Sequence, residues 1–271
     1  MRIAVVMTAA LAAGCTYEGL GGTLIEDEWT VAALNDTTYT VNVWLPESID
    51  TQDNVPWLLM MDADVSFFSD ALATQAAINA GETTPFVLVG IGNQDTRAQD
   101  YTPLPQAWEA PNDGWQNVGG IHAFTAFLTT EFVPHMEETY DLGGSPDLRG
   151  FTGHSYGGLA TTYMLFHHTD TWTRFAATSP ALWWDQGIPF EWERAHAAAQ
   201  DDLDATVYLS MGSVEAPSMN ALFRQFTDDL QTRAYPGLEL TAREWYGLEH
   251  YSSYEPAFDG AIRTMFPGGG R

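Results

Sequence analysis

The chain has 271 residues, 45% of them hydrophobic and 13% aromatic, which is enough to bury a sizeable core and excludes a disordered polypeptide. Its charge is lopsided, with 36 acidic residues against 10 basic ones, all arginine, for a net charge of −26. A surface of that sign excludes nucleic acid and charge-driven adhesion to anionic lipid, and a single cysteine excludes an internal disulfide or a cysteine-based zinc cluster.

The first element, residues 1–14, is a targeting segment: Arg2 followed by the apolar run Ile3–Ala13, which is too short to span a bilayer. Leu11-Ala12-Ala13-Gly14-Cys15 then resembles the lipobox of bacterial lipoproteins, in which the cysteine is lipidated and becomes the new N-terminus. This implies an exported protein held at the cell envelope through Cys15. Residues 15–34 are expected to be a tether and lead-in, 35–267 the catalytic domain and 268–271 a frayed tail.

Along the domain, Thr38 to Leu45 alternates β-branched with other residues and reads as an early antiparallel strand. The apolar runs Trp57–Met61, Phe86–Ile91, Leu148–Thr152 and Val207–Met211 read as buried parallel strands, and Leu238 to Glu244 as a further strand. Helical spacing appears over 69–80, 121–140, 159–168 and 216–234, and again from about Tyr254. Strands alternating with helices predict an α/β fold, a mostly parallel central sheet covered by helices on both faces. Chemistry is then expected at the carboxyl ends of the strands.

One such end carries Gly153-His154-Ser155-Tyr156-Gly157, a G-x-S-x-G between a strand and a helix. That is the setting of a nucleophile elbow, with Ser155 on a strained turn and glycines expected where side chains would collide. The backbone N–H of Tyr156 is one candidate oxyanion donor. The order serine, acid, histidine selects His250, in the loop after the strand Leu238 to Glu244, as the base. His122, His135, His154, His167, His168 and His196 read as structural or solvated. Glu215, just past the strand Val207–Met211, is the chosen acid, with Asp204 and Asp185 in reserve and a dyad without an acid left open.

Several runs together resemble the putative-esterase family of α/β-hydrolases, which includes ferric-siderophore esterases and S-formylglutathione hydrolase. They are the strand Trp57–Met61 with Asp62-Ala63-Asp64, the loop Arg97-Ala98-Gln99-Asp100-Tyr101-Thr102-Pro103, Gly119-Gly120, and Ser179-Pro180-Ala181-Leu182-Trp183-Trp184. The resemblance implies an α/β-hydrolase fold and a second oxyanion donor at Ala63, with Arg97, Trp183 and Trp184 facing the substrate. An alternative pairs Arg97 with Asp100 and sends one tryptophan into the core. The expected activity is hydrolysis of a small-molecule carboxylic ester through an acyl-enzyme, with no metal or organic cofactor. An acyltransferase and an inactive binding protein are the rivals. The loop from Gln99 to Val118, containing Trp108 and Trp115, is a lid or a cover for the sheet.

Overall fold

Continuous runs of apolar, β-branched residues have no polar face to offer water, so they are stable only in the middle of a sheet covered on both sides. A computed structural model describes residues 19–49, 54–105 and 117–269 and shows this arrangement. The strands are β1 Thr23–Val31, β2 Thr37–Leu45, β3 Trp57–Met61, β4 Val87–Gly92, β5 Arg149–His154, β6 Arg174–Thr178, β7 Ala205–Gly212 and β8 Leu238–Trp245. They form one eight-stranded sheet in the order β1-β2-β4-β3-β5-β6-β7-β8. β1 and β2 pair antiparallel with each other, and β2 pairs antiparallel with β4. From β4 onward every pairing is parallel. This is the α/β-hydrolase arrangement expected from the sequence.

The helices are α1 Ala63–Asn79, α2 Arg97–Tyr101, α3 Ile121–Phe127, α4 Val133–Tyr140, α5 Tyr156–His167, α6 Ile188–Ala199, α7 Pro217–Arg233 and α8 Tyr254–Met265. Side chains of a strand alternate between faces. Leu58 and Met60 accordingly pack on one side with Phe67 and Ala71 of α1 and Phe258 and Ile262 of α8. Trp57, Leu59 and Met61 pack on the other with the helices α3, α4, α5 and α7. A fully buried side chain of this size contributes roughly 1.5–3 kcal/mol. No helix among the described residues is long and apolar enough to cross a membrane.

Three features differ from the sequence reading. Residues 23–31, placed in the lead-in, form the edge strand β1, whose Glu26, Asp27 and Glu28 hide its strand character. The short strand β6, with two alanines, carries too little apolar signal to be noticed. The single helix expected over 121–140 is interrupted by a π-turn, Leu128–Phe132. It ends just before Pro134, which has no N–H to return to the preceding turn. Gly268 donates its N–H to Glu82 O, which ties the start of the expected tail to the turn after α1. Residues 1–18, with Cys15, and Trp108 and Trp115 lie outside the described residues.

Candidate active site

β5 ends at His154, and α5 begins at Tyr156, so the direction of the chain must reverse at the one residue between them. That residue, Ser155, adopts φ +60°, ψ −113°, a conformation costly for a side-chain-bearing residue and held here by its surroundings. Its N–H donates to Thr178 O at the end of β6, and its carbonyl accepts from Leu159 and Ala181. A Cβ on Gly153 would lie 2.4 Å from the Gly157 backbone, so that glycine is obligatory. Gly157 is different from the expectation: a Cβ there would meet nothing nearer than 3.4 Å. The second steric requirement falls on Gly158, whose Cβ would lie 2.9 Å from Pro180 Cα.

β7 and β8 bring the other two groups. Gly212 ends β7, and Glu215 folds back so that its Oε1 accepts the Gly212 N–H at 2.7 Å and the Ser179 hydroxyl at 2.6 Å. Its Oε2 accepts from His250 Nδ1 at 2.7 Å. Burial pushes the Glu215 carboxyl up, but hydrogen bonds from His250, Ser179 and Gly212 outweigh this and leave it below its ordinary value. The carboxylate is therefore ionised, and it fixes the proton of the ring on Nδ1, leaving Nε2 as the basic nitrogen. Ser253 braces the loop from behind by donating to His250 O.

The His250 ring lies 4.6 Å from that of His154, the residue before Ser155. His154 itself cannot serve as the base. Burial, reinforced by the neighbouring His250, depresses its pKa to about 3. Its Nδ1 faces the Thr178 hydroxyl, and its Nε2 is enclosed without a partner. His122, His135, His167 and His196 are each engaged elsewhere, with Tyr163, Thr139, the Tyr163 carbonyl and the Asp202 carbonyl respectively. No hydrogen bond joins the Ser155 hydroxyl to His250 in this structure, as is common before substrate tightens a catalytic contact.

Ala63 and Tyr156 are the first residues of α1 and α5, where backbone N–H groups have no carbonyl of their own helix to bind. The left-handed turn before α1 falls on Asp62, with φ +60°, rather than on Ala63. Ala63 is helical, which is why a side chain is tolerated there. Asp62 is held by Arg97, from Nε at 2.6 Å and from the second guanidinium nitrogen at 2.8 Å, and that nitrogen also donates to His154 O. Arg97 thus ties the end of β3 to the elbow. It does not pair with Asp100, which instead accepts from Tyr39 and Thr96.

Ser155, Arg97, Asp62, His154, Met61 and Tyr254 are among the residues lining one cavity of about 350 Å³. The two tryptophans do not line it. Trp184 is wholly buried, donates to Pro103 O and packs edge-on to Tyr156, so its expected contact with substrate is corrected to a core role. Trp183 is 36% exposed and packs against Tyr156, with ring centroids 6.2 Å apart. The Nδ1 of His250 is taken by Glu215 rather than by the reserve acids Asp204 and Asp185. Among the described residues, no cluster of three or more histidine, cysteine or carboxylate side chains could hold a metal ion.

Sequence reasoning missed Ser179 and Asp62 as site residues. Ser179 follows β6, whose apolar signal is weak, and the role of Asp62 shows only through Arg97, 35 residues away.

A family model described as "Putative esterase" matches residues 32–265. The ferri-bacillibactin esterase BesA of Bacillus subtilis is 24% identical over 253 residues, 86% of each chain. Two solved structures superpose with a TM-score of 0.80. The BES protein of Bacillus cereus is 20% identical, covering 89% of this chain and 96% of that one. An IroE-like serine hydrolase from Shewanella oneidensis is 21% identical, covering 90% and 80%.

Proposed function

The chain belongs to the putative-esterase family of α/β-hydrolases, and we propose on that premise that it cleaves carboxylic esters through an acyl-enzyme on Ser155. The observation that carries this is the Glu215–His250 pair beside a strained serine at the end of β5. The Ser155 hydroxyl turns toward His250 Nε2, attacks the ester carbonyl and gives its proton to the ring. The imidazolium so formed is stabilised by Glu215 and returns the proton to the leaving alcohol. The N–H groups of Ala63 and Tyr156 receive the oxyanion. Water, deprotonated by His250, then releases the acid and restores the serine.

Siderophore esters are the proposed substrates, because the curated relative BesA is a ferri-bacillibactin esterase. The signal-like start of the sequence supports export and attachment through a lipidated Cys15. In an expressing bacterium, incorporation of a labelled fatty acid that disappears in Cys15→Ser would support this, and an unlabelled wild type would refute it.

The test of the chemistry is a fluorophosphonate probe on residues 16–271, read by mass spectrometry, alongside turnover of p-nitrophenyl butyrate. A single adduct on Ser155, with both adduct and turnover lost in Ser155→Ala, is expected. A folded protein without adduct overturns the esterase reading in favour of a binding role.

A further inference from the structure

Behind the cavity lies a polar cluster that the mechanism above does not use. Asp70, on α1, is 2% exposed. Its Oδ2 accepts from the Ser66 hydroxyl at 2.7 Å and from the Tyr254 hydroxyl at 2.6 Å. Ser66 and Tyr254, 3.0 Å apart, come from opposite ends of the chain, and both line the cavity that holds Ser155. The Tyr254 ring stands edge-on to His154, with centroids 5.4 Å apart, which puts it one residue from the nucleophile's backbone.

A serine and a tyrosine have one proton each. With Asp70 ionised, both protons point inward to the carboxylate. What the two oxygens present to the cavity is then lone pairs. The charge around them has the same sense. Among the described residues, Arg97 is the one arginine lining the cavity, and its guanidinium is already committed to Asp62 in a two-pronged pair. Among the described residues Asp70 has no cationic partner, and burial lifts its carboxyl to about 7. Burying a carboxylate without a counter-ion is costly, and perturbed groups of this kind in a cleft cluster at functional sites.

We propose that Ser66 and Tyr254, oriented by Asp70, form a subsite that accepts a hydrogen-bond donor of the substrate, a hydroxyl or an ammonium group, and rejects a carboxylate. The inference rests on the esterase reading of Ser155 and adds the polarity of the ester that the site selects. A donor group satisfies the outward lone pairs. An ammonium also supplies the counter-ion that Asp70 lacks. A carboxylate brings a like charge and leaves every acceptor unpaired.

The test uses four esters that differ only at the chain end: ethyl hexanoate, ethyl 6-hydroxyhexanoate, ethyl 6-aminohexanoate and monoethyl adipate, with four- and five-carbon homologues. At pH 8, where Asp70 is ionised, kcat/KM for the hydroxyl- and ammonium-ended esters should exceed that for the carboxylate-ended ester at least tenfold at the best chain length. Tyr254→Phe with Ser66→Ala, which removes both outward-facing oxygens, should bring the hydroxyl-ended ester down to the rate of ethyl hexanoate. Asp70→Asn should lower the ammonium-over-hydroxyl ratio, a change that a purely structural aspartate would not cause. Equal turnover of all four ends, or preference for the carboxylate, overturns the proposal. Turnover of none of them would instead count against the esterase reading. Calorimetric titration with hexylammonium and hexanoate then judges the subsite alone: tighter hexylammonium binding upholds it, and equal or tighter hexanoate binding overturns it.

Discussion

Glu215 spends one carboxylate oxygen on Gly212 of its own loop and Ser179 after β6, and the other on His250. The first fixes where the second can be, so the tautomer of the ring is set by a group with little freedom to move. Glu215→Gln keeps the shape but presents an amide to the ring, and it should lower kcat for p-nitrophenyl butyrate by roughly 10²–10⁴-fold. A loss below tenfold would remove Glu215 from that role. Its depressed pKa also has a sign: the stability it contributes is present above the unfolded value of about 4.3 and is lost as pH falls through the folded value. Asp70 has the opposite sign. Its folded pKa is raised, so its contribution is full below the unfolded value of about 3.9 and declines as pH rises toward 7. Asp70→Asn should therefore be more stable than the wild type at pH 8, by on the order of 3–4 kcal/mol at most, and show no such gain at pH 4. Urea unfolding at the two pH values checks this, and an equal effect at both would contradict the assigned shift.

The elements that carry the site are the carboxyl ends of β3, β5, β6, β7 and β8 with the turns that follow them. At the elbow, the two glycines of the motif are not equivalent. Gly153→Ala forces a Cβ into the Gly157 backbone and should cost several kcal/mol or abolish folding. Gly157→Ala makes only ordinary contacts and should change stability by about 1 kcal/mol or less. Comparing their urea midpoints tests whether the motif is one steric requirement or two. The buried strands were legible in the sequence because each is a nearly unbroken apolar run, and the serine, acid and base could be placed because they follow such runs. β6 was not legible, being five residues with two alanines, and Ser179 was lost with it. Nor was the choice between Trp183 and Trp184, which are adjacent and alike. Only the packing of Tyr156 and the Pro103 carbonyl decides which one turns inward. The Arg97–Asp62 pair joins positions 35 residues apart through the sheet, and no local pattern announces it.

Over the whole molecule, ten arginines face 36 acids. Arg97, Arg149, Arg194, Arg224, Arg233 and Arg263 are each engaged by a carboxylate. Most acids therefore have no basic partner to share and repel one another across the surface. Salt screens such repulsion over roughly 10 Å at 0.1 M, so the melting temperature at pH 7 should rise by several degrees between 0.02 and 0.5 M sodium chloride. A flat response in a fluorescence melt would show that the charges lie too far apart to matter.

Among the described residues, the outer strands of the sheet are β1, bearing Asp27 and Glu28, and β8, bearing Glu239. An open edge is a template for another chain, and negative charge is what discourages two copies from docking there. That protection can be taken away by substitution. Asp27→Asn with Glu28→Gln removes two of the charges from β1. The variant should turn from a clear solution into ladder-extending aggregates that bind thioflavin, while the wild type in the same buffer stays dispersed.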